Sequence, residues 1–152
     1  MLNHSQTTDD LAPFGEDYGP GLMGEFAPIA REGEHHDLKL LKGRVPVDLN
    51  GAYFRAGPNP RFAPKGRYHP FDGDGMVHAA QFDHGRVTYR NRWVRTDAWQ
   101  EEDRAGASVF DGIRDTLKGR PDRRLKDTAN TDLVAQGGRV LAAGCILPLA
   151  AG

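Results

Sequence analysis

Apolar positions in this chain fall in short alternating runs separated by glycine, proline, aspartate and asparagine. The runs at 76–82 and 86–96 are the clearest, and Asp83-His84-Gly85 between them predicts a hairpin. Alternation along a strand puts Val87, Tyr89, Asn91, Trp93 and Arg95 on one face and Thr88, Arg90, Arg92, Val94 and Thr96 on the other, with the first face the more buried. Strands at 131–135 and 139–143 flank Gln136-Gly137-Gly138 and predict a second hairpin. Shorter candidate strands lie at 38–43 and 51–57, joined through Pro46 to Asn50, with Asn50-Gly51 as the turn signal. Pro58-Asn59-Pro60 stops the second of these, because proline fixes φ and has no N–H to give a ladder.

Only residues 98–105 read as helix, with Asp97 as its N-cap and Gly106 closing it at the surface. Residues 1–37 carry scattered Leu11, Phe14, Leu22, Met23 and Phe26 without any period and read as an extended arm. The basic stretch 115–126, interrupted by Gly119 and Pro121, reads as a solvated loop. Several short strands, frequent turns and little helix predict an all-β chain. Its domain plan is an arm over 1–37 and a single, incomplete β domain over 38–152.

Composition adds bounds. The 152 residues are of single-domain length, and 20 Lys and Arg balance 21 Asp and Glu without a basic cluster, which speaks against a nucleic-acid partner. Cys145 is the one cysteine, so no internal disulfide can form, and a reducing, cytoplasmic setting is expected. The polar first ten residues lack a secretion signal, and the Asn3-His4-Ser5 sequon carries little weight without one. The small apolar stretch at 140–150 is about half the ~20 residues that a membrane-spanning helix needs.

The densest motif is Tyr68-His69-Pro70-Phe71-Asp72-Gly73-Asp74-Gly75-Met76-Val77-His78. Asp72 and Asp74 suit local capping, and Gly73 and Gly75 suit positive φ. As a calcium loop it fails, since Met76 and Val77 stand where an oxygen ligand and the obligatory glycine belong. As a dinucleotide fingerprint it also fails, since His78 replaces the last glycine and a strand follows. His69, Asp72, Asp74 and His78 have the donor chemistry of an iron or manganese site, but capping aspartates and a self-satisfied strand histidine are the preferred reading. His35-His36 lacks helical-pair spacing, Ser5 and Ser108 lack an elbow motif, and Cys145 has no neighbouring base.

Three linked stretches carry more than any one of them: 50–60, beginning Asn50-Gly51-Ala52-Tyr53-Phe54-Arg55-Ala56-Gly57; then 68–78; then Tyr89-Arg90-Asn91-Arg92-Trp93-Val94-Arg95-Thr96. In order and spacing they resemble the amino-terminal part of the carotenoid cleavage oxygenase family, also called the carotenoid oxygenase or retinal pigment epithelial membrane protein family. Asp127-Thr128-Ala129-Asn130-Thr131 and the run from Gly138 to Ala142 look like its next landmark.

The resemblance implies the amino-terminal portion of a seven-bladed β-propeller, roughly one to two blades. It also implies a non-haem Fe(II) held by four histidines on the propeller axis, and O₂-dependent cleavage of a conjugated C=C bond into two carbonyl products. Substrates would be carotenoids, apocarotenoids or stilbene-like phenolics, and peripheral membrane contact is compatible with the family.

The iron-binding histidines of the family fall beyond Gly152, and His69 and His78 match positions that are not ligands. No catalytic or metal residue is therefore expected in this chain, which alone should neither bind iron nor act. By position, Trp93 and Phe62 would line the substrate tunnel; each also reads as an ordinary core aromatic. The small residues of 142–152 depart from the family pattern, as a premature stop after a frameshift would produce. The competing reading is a β-rich binding or structural module without chemistry.

Overall fold

The computed structural model describes Phe14 and residues 19–36, 38–116 and 125–144. The sequon, Cys145, most of the basic stretch and the tail beyond Gly144 lie outside them. One antiparallel sheet holds four strands, β1 (Gly33–His35), β2 (Gly51–Pro58), β3 (Gly75–Asp83) and β4 (Arg86–Trp93), in the order β1-β4-β3-β2. Four antiparallel strands are the content of one propeller blade. Helices α1 (Asp97–Ala105) and α2 (Ile113–Thr116) follow, then a separate hairpin of β5 (Asp132–Gln136) and β6 (Arg139–Ala143).

Both expected hairpins form, each through a two-residue turn with both central residues in the left-handed region: His84 and Gly85 at φ 46° and 83°, Gly137 and Gly138 at 57° and 74°. That turn matches the right-handed twist of the strands it joins. The expected face of β4 is the covered one, with Val87, Asn91 and Trp93 buried and Tyr89 half-buried. Met76 on β3 lies opposite Trp93, and the two pack with Trp99 of α1 and Ile29.

Several sequence readings differ from the structure. Residues 38–43 are not a strand: after the Leu38 amide bonds to Val87 O, the chain leaves the sheet and exposes Leu40 and Leu41. Asn50-Gly51 consequently turns no hairpin, and the Asn50 side chain instead accepts from the His84 amide at 3.0 Å. The stretch assigned to the arm contributes β1, which pairs Gly33, Glu34 and His35 with Asn91, Arg90 and Tyr89. Helix α1 is capped one residue earlier than expected, by Thr96, whose hydroxyl accepts from Trp99 N at 3.1 Å.

The glycine and aspartate loop is the joint of the whole assembly. Asp72 accepts from His69 N and Ile113 N, and the Asp74 carboxylate accepts from Arg61 N at 2.9 Å. Gly75 N donates to Thr128 O, and Gly75 O accepts from Val94 N, both at 2.7 Å. The glycines serve close approach rather than positive φ: Gly73 sits at φ −71°, and a Cβ on Gly75 would run into the carbonyls of Ala129 and Thr128. Asn130 seals the loop by donating to the carbonyls of Pro70, Phe71 and Gly73.

Behind the loop lies a buried charge cluster that the solvated-loop reading of 115–126 missed. Lys126 Nζ reaches Asp74 Oδ1 at 2.7 Å and Glu102 Oε2 at 2.5 Å, with both carboxylates 1% exposed. The other Glu102 oxygen accepts from Ser108 Oγ, Val109 N and Phe110 N. Burial, with the Glu102 charge nearby, pushes the Asp74 carboxyl above its ordinary range, although Lys126 and the Arg61 amide pull the other way. Two carboxylates therefore share one ammonium in a place where unpaired charge is costly.

Gly75→Ala should lower the unfolding free energy by about 2 kcal/mol or more in urea titration, because backbone rather than a mobile side chain blocks the added methyl. Lys126→Met strands two buried carboxylates and should cost about 3–5 kcal/mol in the same measurement. The raised Asp74 carboxyl keeps its proton in the folded chain at pH values where the unfolded chain, with a value near 3.8, has lost it. Its contribution to stability is full below that value and fades as pH rises through the folded pKa. Asp74→Asn should accordingly flatten that part of the stability profile, seen as urea midpoints measured from pH 3 upward.

Candidate functional site

A groove of about 840 Å³ lies between the covered face of the sheet and residues 21–29. Register builds its floor. Tyr53 and Arg55 of β2 lie opposite Ala80 and His78 of β3, and Ala80 in turn lies opposite Tyr89 of β4, so period-two alternation puts all five on one face. Glu25, Phe26, Ala27 and Ile29 form the opposite wall, and Pro58, Asn59, Tyr68 and Pro70 close the end.

Two buried asparagines hold that opposite wall in place. Asn59 exchanges paired bonds with the Ile29 backbone, accepting from its N–H at 2.7 Å and donating to its carbonyl at 2.9 Å. Asn91 accepts from Gly33 N and donates to Arg31 O. Glu32 and Glu34 add charge pairs: Glu32 takes both terminal nitrogens of Arg95 at 3.0 Å, and Glu34 takes Arg90 at 2.9 and 2.6 Å. Burial works against the Glu32 carboxylate, but the Arg95 and Trp93 N–H bonds together hold its carboxyl below the usual range. For Glu34 the Arg90 hydrogen bond does the same.

Inside the groove, His78 Nδ1 and the Tyr89 hydroxyl meet at 2.6 Å. Burial, and then the Arg55 charge, lowers the His78 pKa, while burial raises that of Tyr89. A neutral imidazole accepting from a protonated phenol is the arrangement these shifts favour. The dyad is a buried polar contact between β3 and β4.

The four residues weighed as a metal site are not brought together. His69 Nδ1 caps the short turn Pro70–Asp72 by accepting from Phe71 N, Asp72 and Asp74 serve backbone amides and Lys126, and His78 faces the groove with Tyr89. Among the described residues no group of three or more His, Cys, Asp or Glu could hold a metal ion. The donors of His69, Asp72, Asp74 and His78 are each committed to separate partners and do not converge on a metal.

Trp93 is 6% exposed, donates its indole N–H to Asn59 O at 2.9 Å, and lies beneath the Arg61 guanidinium at 4.9 Å. Phe62 is half-buried at a separate cavity of about 30 Å³ that it shares with Tyr68 and Phe110. Neither lines the large groove. Sequence reasoning passed over Tyr53, Arg55 and Tyr68, although the alternation of Tyr53 and Arg55 on β2 was signal enough for two of them.

No helix among the described residues is long and apolar enough to cross a membrane. Residues 26–144 match the family described as retinal pigment epithelial membrane protein. The chain is 38% identical over 139 residues to carotenoid 9,10(9',10')-cleavage dioxygenase 1 of Arabidopsis thaliana, an alignment spanning 80% of this chain and 26% of that one. Among solved structures, the lignostilbene dioxygenase of Pseudomonas brassicacearum aligns with a TM-score of 0.69 at 28% identity, over 82% of this chain and 26% of that one. The cobalt-substituted Synechocystis apocarotenoid oxygenase aligns at 0.64 and 35% identity, over 76% and 26%. The chain thus spans about a quarter or less of the relatives it matches, reaching only 16% of the Arabidopsis probable carotenoid cleavage dioxygenase 4. With linked motifs, blade-like sheet and sequence match in agreement, the chain belongs to the carotenoid oxygenases, the retinal pigment epithelial membrane protein family.

Proposed function

We propose that this chain is the entry portion of a dioxygenase that uses O₂ to split a conjugated C=C bond of a carotenoid or apocarotenoid into two carbonyl products. The observation that carries the reading is that 82% of the chain follows a solved enzyme of the family at a TM-score of 0.69. Because that enzyme is a lignostilbene dioxygenase, a stilbene-like substrate is the second reading.

The family's Fe(II) would be held by four histidines, all placed by this proposal outside the chain. What supports that placement is the lack of a metal-competent cluster among the described residues and the commitment of His69 and His78 to structural bonds. The chain alone would then neither retain iron nor cleave substrate. Its part is architectural: it supplies one blade, the buried joint and the start of the next blade. Phe62 and Trp93 enter the proposal as aromatics that shape the wall of the substrate path, Trp93 through its packed position beneath Arg61. A cytoplasmic setting belongs to the same reading, supported by the single cysteine.

Two measurements test it together. Anaerobic Fe(II) loading of the isolated chain followed by metal analysis should leave it without stoichiometric iron; one iron per chain would defeat the proposal. Residues 26–144 exchanged for the matching segment of the Synechocystis apocarotenoid oxygenase should give a chimera that still yields two carbonyl products by chromatography. A folded, iron-loaded chimera with no cleavage of apocarotenoid or stilbene would reject the assignment.

A further inference from the structure

We propose that Tyr89 and His78 form a proton-coupled redox pair, in which a high-potential one-electron oxidant takes an electron from the Tyr89 ring while the phenolic proton crosses to His78 Nδ1. The hydroxyl and Nδ1 stand 2.6 Å apart, within the reach that proton transfer needs. Sheet register sets that contact. Tyr89 lies opposite Ala80, two residues from His78 on the same face of β3, and diagonal neighbours of this kind are within reach of long side chains. Strand β3 is paired with β2 and β4, and β4 with β3 and β1, so strands inside the described sheet fix the pair from both sides.

The step balances at these two side chains. Tyr89 gives one electron to the oxidant, its O–H bond breaks and an N–H bond forms on His78, leaving a neutral phenoxyl radical beside an imidazolium. A neutral imidazole that accepts at Nδ1 carries its proton on Nε2, so Nδ1 has the lone pair that receives the proton. Burial, and then the Arg55 charge, keeps the ring in that neutral form. The same charge disfavours the imidazolium, so the proton returns to oxygen when a thiol or other one-electron reductant refills the phenoxyl ring. Both side chains are half-buried along the groove, where an outer-sphere oxidant can approach the ring.

The other described tyrosines and tryptophans lack such an acceptor. Trp93 donates its indole N–H to Asn59 O, and an amide carbonyl does not take up a proton. Trp99 Nε1 is buried without a hydrogen-bond partner among the described residues. Burial and the charges of Asp72 and Asp74 hold the proton on the Tyr68 hydroxyl. Tyr53 is 63% exposed and has only water to receive its proton.

The experiment is flash oxidation of the full 152-residue chain by photogenerated tris(bipyridine)ruthenium(III), followed by transient absorption and by electron paramagnetic resonance of freeze-quenched samples. A tyrosyl radical should appear in a fast phase, slowed about twofold in D₂O because the proton moves with the electron. Tyr89→Phe should remove that phase and leave the slower oxidation of Tyr53. His78→Gln keeps a hydrogen-bond acceptor but not a base, and should slow the phase about tenfold or more. A merely structural contact would survive that change. Near-ultraviolet circular dichroism of Trp93 and Trp99 checks that each variant keeps its core. A fast phase that persists in Tyr89→Phe, or that proceeds in His78→Gln at the unsubstituted rate, would overturn the proposal. So would equal rates in D₂O and H₂O for the unsubstituted chain, a comparison that needs no variant to fold. The inference does not rest on the cleavage activity, so its failure leaves the iron and chimera results standing.

Discussion

Lys126 held between Asp74 and Glu102 is the contact on which the rest of this structure depends. The three residues come from the glycine and aspartate loop, from α1 and from the segment that leads into β5. Charges this deeply buried are tolerable only when paired and hydrogen-bonded, so none of the three segments can dock without the others. The loop backbone then extends the joint: Arg61 N is bound by Asp74, Gly75 N by Thr128 O, and Val94 N by Gly75 O. A single small region thereby fixes the end of the first sheet, the start of α1 and the approach of the second hairpin.

From that joint the groove follows. Asn59 sits next to the loop and grips Ile29, while Asn91 in mid-sheet grips residues 31 and 33. Side-chain amides here supplement the short backbone pairing of this segment, bonding to its N–H and C=O groups. The residues 21–29 are thus held at a distance that leaves a groove over His78, Tyr89 and Arg55 instead of collapsing onto the sheet. In the groove itself the described polar side chains are engaged with one another, His78 Nδ1 meeting the Tyr89 hydroxyl at 2.6 Å.

What the sequence disclosed was local. Asp83-His84-Gly85 and Gln136-Gly137-Gly138 marked the two hairpins because turn geometry is written in adjacent residues. The helix showed itself by composition, with only its cap displaced from Asp97 to Thr96. What escaped was set by partners far along the chain. The three-residue β1 has no pattern of its own and exists through Asn91 and Arg90, while 38–43 looks like a strand but leaves the sheet after the Leu38 amide bonds to Val87 O. Lys126 belonged to a basic run that reads as solvated, and only the buried Asp74 and Glu102 make it a core residue. The glycines were identified for the wrong reason, since Gly75 is required by the closeness of Thr128 and Ala129 rather than by its φ.

The claim that one joint ties the assembly together is tested most directly by native-state hydrogen exchange resolved to single amides. If the account holds, the N–H groups of Asn59, Arg61, Gly75 and Val94 exchange only through global unfolding, at the rate of the central β3 amides, although three of the four lie outside the strands. Exchange of these four amides as fast as that of residues 38–50 would show that the joint opens independently of the sheet and would contradict it.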